Sequence, residues 1–288
     1  MVGSYFGLIL SAGRGTRMRP FAPKEMLPFV NKSIVVHSID ALKRLGIKHV
    51  NIVVGEGKYN IQEHVGNGTA FDINVSYDFQ QVLDGDGGGI SCANSTKYSS
   101  ANYVVVLFGD TILSDPEDII KLRDQFERFK NDPDYVGAIA FKRHPAVIPE
   151  GSKKYPYGVA LIEDEFIQSI HEKPKADLLP KFDRDGFCES IAPAYIFKKD
   201  ALFHMIDDLY GVGCDGEYHL SDAIKLAMTK GMKFSGYSIK GKALDMGRPL
   251  PYLNALRDWF INASDEDVKK VAAEWDELAL RFRNGELK

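Results

Sequence analysis

The chain of 288 residues is 44% hydrophobic and 26% charged, with a net charge of −4 and a pI near 6.0. This is enough chain for one large domain or two small ones, and its acidic balance excludes a bulk nucleic-acid binder, which needs a strongly basic face. No apolar run approaches the ~18 residues of a membrane helix, and three scattered cysteines (Cys92, Cys188, Cys214) without a CxxC pair point to a reduced, cytoplasmic setting.

The chain opens on MVGSYFGLIL, whose unbroken apolar run at 5–10 lacks a basic leader region and reads as a strand buried on both faces rather than a signal peptide. Behind it stands LSAGRGTRMRPFAPKEML, residues 10–27. Residues 34–45 place Val35, Val36, Ile39, Leu42 and Leu45 at helical spacing, with Gly46 as the stop. The runs HVNIVVG (49–55) and NYVVVLFGD (102–110) are further buried strands. DGDGGG (84–89) is expected to be a loop, and residues 116–130 a helix. Strands follow at VGAIAFK (136–142), YGVALIE (157–163) and SIAPAYIFKK (190–199). Residues 249–260 and 265–280 read as helices, the second opened by a capping box of Ser264 and Asp267. Alternating strands and helices imply a Rossmann-like three-layer α/β/α fold with a mainly parallel mixed sheet. The expected division is a catalytic domain at 1–248 and a C-terminal helical extension at 249–288, packed on the body or at an oligomer interface. In such sheets ligands gather beyond the carboxyl ends of the strands, where SAGRGTR and GD stand.

The glycine loop is a phosphate loop of neither common kind. A dinucleotide fingerprint needs GxGxxG, and after Gly13 and Gly15 the third glycine is missing, although Glu56 ends the second strand where a ribose-binding acid would sit. A Walker loop needs a Lys-Ser/Thr pair that the sequence lacks. What remains is a glycine turn carrying its own cations. Glycines let several N–H groups face one anion, Arg17 offers a planar fork of donors and Lys24 a compact charge, and Pro20, Pro23 and Pro28 stiffen the segment.

This string resembles the signature of the nucleotide-sugar pyrophosphorylases, or sugar-1-phosphate nucleotidyltransferases, and in its wording PKEMLP it is most similar to glucose-1-phosphate uridylyltransferases and thymidylyltransferases. Five further motifs in the same order carry the resemblance over residues 5–255: FGD (108–110), YGV (157–159), EKP (172–174), GEYHLSDAI (216–224) and ALDMGRPLPYLNA (243–255). The resemblance implies that NTP and sugar 1-phosphate give NDP-sugar and pyrophosphate, with UTP and glucose 1-phosphate favoured and dTTP or another hexose 1-phosphate as the alternative. It implies nucleotide binding by Leu10, Ala12, Gly13, Gly15 and Thr16, with Gln80 or Gln81 and Gly88 reading the base. Arg17, Lys24 and Asp110 become the catalytic residues, and Gly158, Glu172 and Lys173 the sugar-phosphate site. Asp110 and Asp245 become the ligands of Mg²⁺, and a homodimer or homotetramer is expected by analogy. Two rivals are a glycosyltransferase, whose DxD motif only DGD (84–86) could supply, and a non-catalytic nucleotide-sugar-binding relative. Pro193 stands where the family commonly has glycine beside the sugar.

Overall fold

The computed structural model describes residues 4–18, 23–93, 100–213 and 216–271. Strand β1 (Tyr5–Ser11) leads into single 3₁₀ turns at Thr16–Met18 and Lys24–Met26, then a ribbon of β2 (Pro28–Phe29) and β3 (Lys32–Ser33). The first half continues with α1 (Ile34–Arg44), β4 (His49–Val54), α2 (Tyr59–Val65), β5 (Asn74–Phe79), α3 (Asp86–Cys92) and β6 (Tyr103–Phe108). Next come β7 (Thr111–Leu113), α4 (Glu117–Phe129), β8 (Tyr135–Pro145), β9 (Val159–Glu163), β10 (Phe166–His171) and β11 (Phe187–Lys198). The described chain closes with α5 (Lys199–Val212), α6 (Leu220–Thr229), β12 (Lys233–Ser238), β13 (Ala243–Asp245) and α7 (Pro249–Asn262).

The main sheet has nine strands in the order β5-β4-β1-β6-β11-β8-β12-β10-β9. Strands β4, β5 and β6 run parallel to β1, β12 runs parallel to β8, and β10 and β11 are the two that oppose the rest. The mainly parallel mixed sheet expected from the pattern is the one present. Its apolar runs are continuous because both faces are covered. Phe6 and Leu8 of β1, Val53 of β4, and Val104 and Val106 of β6 pack into one core with Ile90 of α3, Leu202 and Ile206 of α5, and Ile224 of α6. Ile9, Ile52, Val54, Val105 and Leu107 face the other core, with Val35, Ile39 and Leu42 of α1 and Ile119, Leu122 and Phe126 of α4. Each such fully buried side chain contributes roughly 1.5–3 kcal/mol, so slipping any central strand by one residue exchanges two complete cores.

Helix α1 stops where its sequence says: Gly46 takes φ +74, and Ile47 N bonds back to Leu42 O at 3.3 Å. The capping box also forms, with Asp267 N donating to Ser264 Oγ at 3.1 Å and Ser264 Oγ donating to Asp267 Oδ2 at 2.6 Å. Residues 265–271 are helical; the remainder of the helix expected to 280 lies outside the described residues, as do Pro20 and Cys214. Helix α7 packs through Ala255 onto Phe29, Ile34, Ile112 and Met246. Among the described residues no helix is long and apolar enough to cross a membrane.

One expectation is overturned. The glycine run at 84–89 is not all loop, because α3 starts at Asp86. Three helical glycines are costly on propensity alone, near 1 kcal/mol each. Packing requires two of them: a Cβ at Gly87 would stand 2.8 Å from Tyr218 O, and one at Gly88 would stand 1.8 Å from Asp84 Oδ1. Asp86 Oδ1 then accepts from Gly87 N at 3.0 Å and from Leu220 N, the first residue of α6, at 2.8 Å.

Candidate active site

The carboxyl ends of β1, β4, β5 and β6 open onto a cleft of ≈ 1250 Å³, room for two substrates together. Its floor is the loop after β1, from which Leu10, Ala12, Gly13, Thr16 and Arg17 line the cleft together with Arg14. Gly15 sits behind them in the left-handed region at φ +61, its α-carbon turned to the aliphatic stem of Lys24. The loop after β4 braces this floor from below. Gly55 packs so closely that a Cβ there would lie 2.4 Å from Ala12 O.

Across the floor, β6 delivers Asp110. Gly109 N bonds to Leu10 O at 2.9 Å, and a Cβ at Gly109 would meet Ser11 Oγ at 2.1 Å, so only glycine lets the two strand ends converge. The ribbon of β7 and β13 pairs Thr111 with Asp245, and Met246 N bonds to Asp110 O at 2.9 Å. Asp245 Oδ1 accepts from Gly247 N at 2.7 Å. A Cβ at Gly247 would be 2.8 Å from Asp245 Oδ1, 3.4 Å from Asp110 Oδ2 and 3.7 Å from an Arg17 Nη, so these three residues surround one small space. Lys24 donates to Asp110 Oδ2. Burial opposes the Lys24 charge, but Asp110, Glu25 and Asp245 outweigh it and raise the ammonium above its ordinary value.

The opposite wall holds the sugar-phosphate candidates. Glu172 Oε2 accepts from Ser221 Oγ at 2.9 Å, and Glu172 Oε1 pairs with Lys173 Nζ at 3.0 Å. Gly158 lies against that carboxylate, leaving 2.8 Å between Oε2 and the place of a Cβ. Lys173 adopts φ +41, a conformation rare outside glycine. Pro193 lines the cleft in an irregular stretch of β11, where the pairing with β8 shifts between Ile191 and Tyr195. A residue with no N–H is accommodated at a bulge, where a ladder bond is already absent.

The base candidates divide. Gln80 and Gln81 both line the cleft. Gln80 is buried and spends its amide on Asp84 Oδ1 at 3.1 Å and Gly85 O at 3.0 Å; Gln81 is exposed. Gly88 faces the packed Asp84 and Gln80, whereas Gly85 and Gly89 line the cleft.

Several cleft residues were not singled out from the sequence. Asp86 stands near His219, with Oδ1 and Nδ1 3.8 Å apart, and both line the cleft with Glu217. Burial pushes the Asp86 carboxyl up to about 6, with His219 and two N–H donors resisting and Glu172 adding to it. His144 stacks on Tyr157, centroids 5.0 Å apart. Arg248 and Asn254 complete the rim. Glu217 and His219 stand in the motif at 216–224, and Arg248 and Asn254 in the one at 243–255, but none of them was assigned a role there.

The carboxyl edge of the sheet thus gathers a glycine-rich loop, two carboxylates beside Arg17 and Lys24, and a Glu-Lys pair on the opposite wall. The family model for nucleotidyl transferases matches residues 6–260, and the chain belongs to that family. A low-salt glycan biosynthesis nucleotidyltransferase, Agl11 of Haloferax volcanii, is 26% identical over 96% of this chain and 71% of its own length. The bifunctional protein GlmU of Clostridium perfringens is 26% identical over 78% of this chain, which spans only 45% of that relative. The fold is shared with a UDP-glucose pyrophosphorylase solved with UDP-glucose (TM-score 0.71, 21% identity, 90% of this chain and 100% of that one). It is shared too with a Bacillus anthracis protein assigned as a glucose-1-phosphate thymidylyltransferase (TM-score 0.69, 20% identity, 88% and 94%).

Proposed function

We propose that the protein is a sugar-1-phosphate nucleotidyltransferase that joins UTP and glucose 1-phosphate into UDP-glucose and releases pyrophosphate. The observation that carries this is the convergence of Arg17, Asp110 and Asp245 on one space at the phosphate loop, with Lys24 bound to Asp110. The sugar phosphate oxygen attacks the α-phosphorus, that bond forms as the α–β bridging bond breaks, and pyrophosphate leaves in line. Such a reaction asks the protein for alignment and charge rather than covalent chemistry. Backbone N–H groups of the loop after β1 hold the nucleotide phosphates. Arg17 takes the charge that develops on the leaving pyrophosphate, and Lys24 stands between the two anions. Lys173 holds the sugar phosphate, Glu172 accepts from sugar hydroxyls, and Gly158 keeps that wall open. Gln81, whose amide is not spent on the loop, is the better placed of the two glutamines to read the base.

Asp110 and Asp245 fit a divalent cation. They offer carboxylate oxygens to a shared space, and Mg²⁺ takes few protein carboxylates and fills its other positions with phosphate and water. When bound, the ion neutralises phosphate charge. The test is pyrophosphate release with Mg²⁺ and glucose 1-phosphate, run separately with UTP, dTTP, ATP, CTP and GTP. Release with UTP above the others supports the reading. Release with another nucleotide reassigns the base, and silence across these nucleotides and a panel of hexose 1-phosphates overturns it.

A further inference from the structure

The turn Lys24–Met26 turns two adjacent charges in different directions. Lys24 reaches Asp110, whereas Glu25 points inward and accepts at Oε1 from Lys58 Nζ at 2.5 Å. This second pair is far more deeply buried, with side chains 1% and 3% exposed for Glu25 and Lys58. Lys58 caps the start of α2, and its backbone N bonds to Gly55 O at 3.3 Å. Gly55 in turn presses on Ala12. The loop after β4 therefore touches the phosphate loop with its backbone and the Lys24 turn with its side chain.

Stability does not account for the pair. Two buried charges lose hydration that their attraction barely returns, and apolar residues of similar size serve a fold as well or better. The desolvation shows in both partners, since burial pushes Glu25 up and Lys58 down from their ordinary values. It shows again in Glu25 Oε2, a buried oxygen without a partner among the described residues. What the pair does supply is position. Glu25 is an anion next to Lys24 in the chain and, with Asp110, favours its ammonium. As long as Lys58 holds the Glu25 carboxylate, Lys24 is left to the cleft.

We propose that Glu25 and Lys58 are positioning residues. Lys58 occupies the carboxylate that would otherwise draw Lys24 out of the cleft, and locks the Lys24 turn to the loop beneath the phosphates. This rests on the role given to Lys24 above.

The experiment compares wild type, Lys58→Met, Lys58→Arg and the double variant Lys58→Met/Glu25→Gln. It measures pyrophosphate release at saturating and limiting substrate, with thermal unfolding on the same samples. Lys58→Met is expected to lower kcat at least roughly tenfold, in the range of misplacing one catalytic charge, with a smaller change in the nucleotide KM. Lys58→Arg, which keeps the cation, is expected to recover part of the loss. The double variant is expected to recover kcat as well, because the competing anion has gone. A merely structural pair would show its loss in unfolding temperature and would give no recovery of kcat on removing a second charge. A kcat within about twofold of wild type in folded Lys58→Met, well below one catalytic charge's worth, overturns the inference, as does a folded double variant no faster than Lys58→Met. Should Lys58→Met fail to fold, the double variant decides alone: near-normal kcat supports the competition, and a tenfold loss with wild-type unfolding refutes it. Silence of the wild type would refute the functional reading itself, and this inference with it.

Discussion

Replacing Gly158 with alanine tests the sugar wall without touching a proposed ligand side chain. The added Cβ would stand 2.6 Å from Ile191 Cδ1 and 2.8 Å from Glu172 Oε2. The Ile191 methyl is the end of a side chain that can turn aside, so the stability cost falls near the low end of the roughly 1–3 kcal/mol typical of overpacking. The Glu172 carboxylate has less freedom, tethered by Ser221 Oγ at 2.9 Å and Lys173 Nζ at 3.0 Å. To reach an ordinary contact of 3.4 Å it must withdraw by about 0.6 Å, which would misalign every hydrogen bond it accepts from a sugar in the proposed arrangement. Hydrogen bonds to a charged group are worth about 1.5–3 kcal/mol, or roughly 10- to 150-fold. Gly158→Ala is therefore expected to lower kcat/KM for the sugar 1-phosphate by that factor and to leave the nucleotide KM little changed. The assay is pyrophosphate release with each substrate titrated against a saturating level of the other. An unchanged kcat/KM for the sugar phosphate, in a variant of normal unfolding temperature, would refute the placement of the sugar against Glu172.

Three further expectations can be measured on the same material. Asp110→Asn and Arg17→Ala should each lower turnover by roughly 10²-fold or more, because each removes stabilisation of developing phosphate charge; near-normal steady-state rates in both would sink the site assignment. Chelation of divalent ions should abolish pyrophosphate release and added Mg²⁺ should restore it, and undiminished activity in excess chelator would exclude the Asp110–Asp245 ion site. Asp86, with a folded pKa of about 6 against an ordinary 3.8, favours the fold while protonated. That contribution is complete below the ordinary value and is lost as pH rises through 6. Asp86→Asn keeps an oxygen for the N–H groups of Gly87 and Leu220, so at pH 8 it should exceed wild type in stability by at most about 3 kcal/mol. The gap should close below pH 4, and denaturant titrations that show parallel pH profiles would refute it.

The two walls proposed for the sugar and the base differ in how firmly they are held. Glu172 pairs with Lys173 and is tied to α6 through Ser221, which restrains the carboxylate on the proposed sugar wall. On the proposed base side, the Gln80 amide is committed to the turn leading into α3. A Gln80→Ala change would release Asp84 and Gly85 together, which makes Gln81→Ala the cleaner probe of base preference.

The local chemistry of the sequence determined the strands and the glycine turn behind the first of them. Runs such as YFGLIL and YVVVLF are apolar on both faces, and only a sheet covered by helices on both sides hides them. Gly13, Gly15 and Arg17 made an anion site the expectation, because backbone freedom and a guanidinium fork have few other joint uses, and Gly13 and Arg17 do line the cleft. Gly46 declared the end of α1 in the same way. Long-range packing decided the rest. The run at 84–89 is rich in glycine where Tyr218, from a distant segment, crowds Gly85 and Gly87 and where Asp84 crowds Gly88. Asp245 reached Asp110 through the pairing of β13 with β7, and Lys58 met Glu25 through the press of one loop on another. Neither meeting has a spacing to read, because a hydrogen-bond ladder between separate segments and a buried charge seeking its partner act through space and not along the chain.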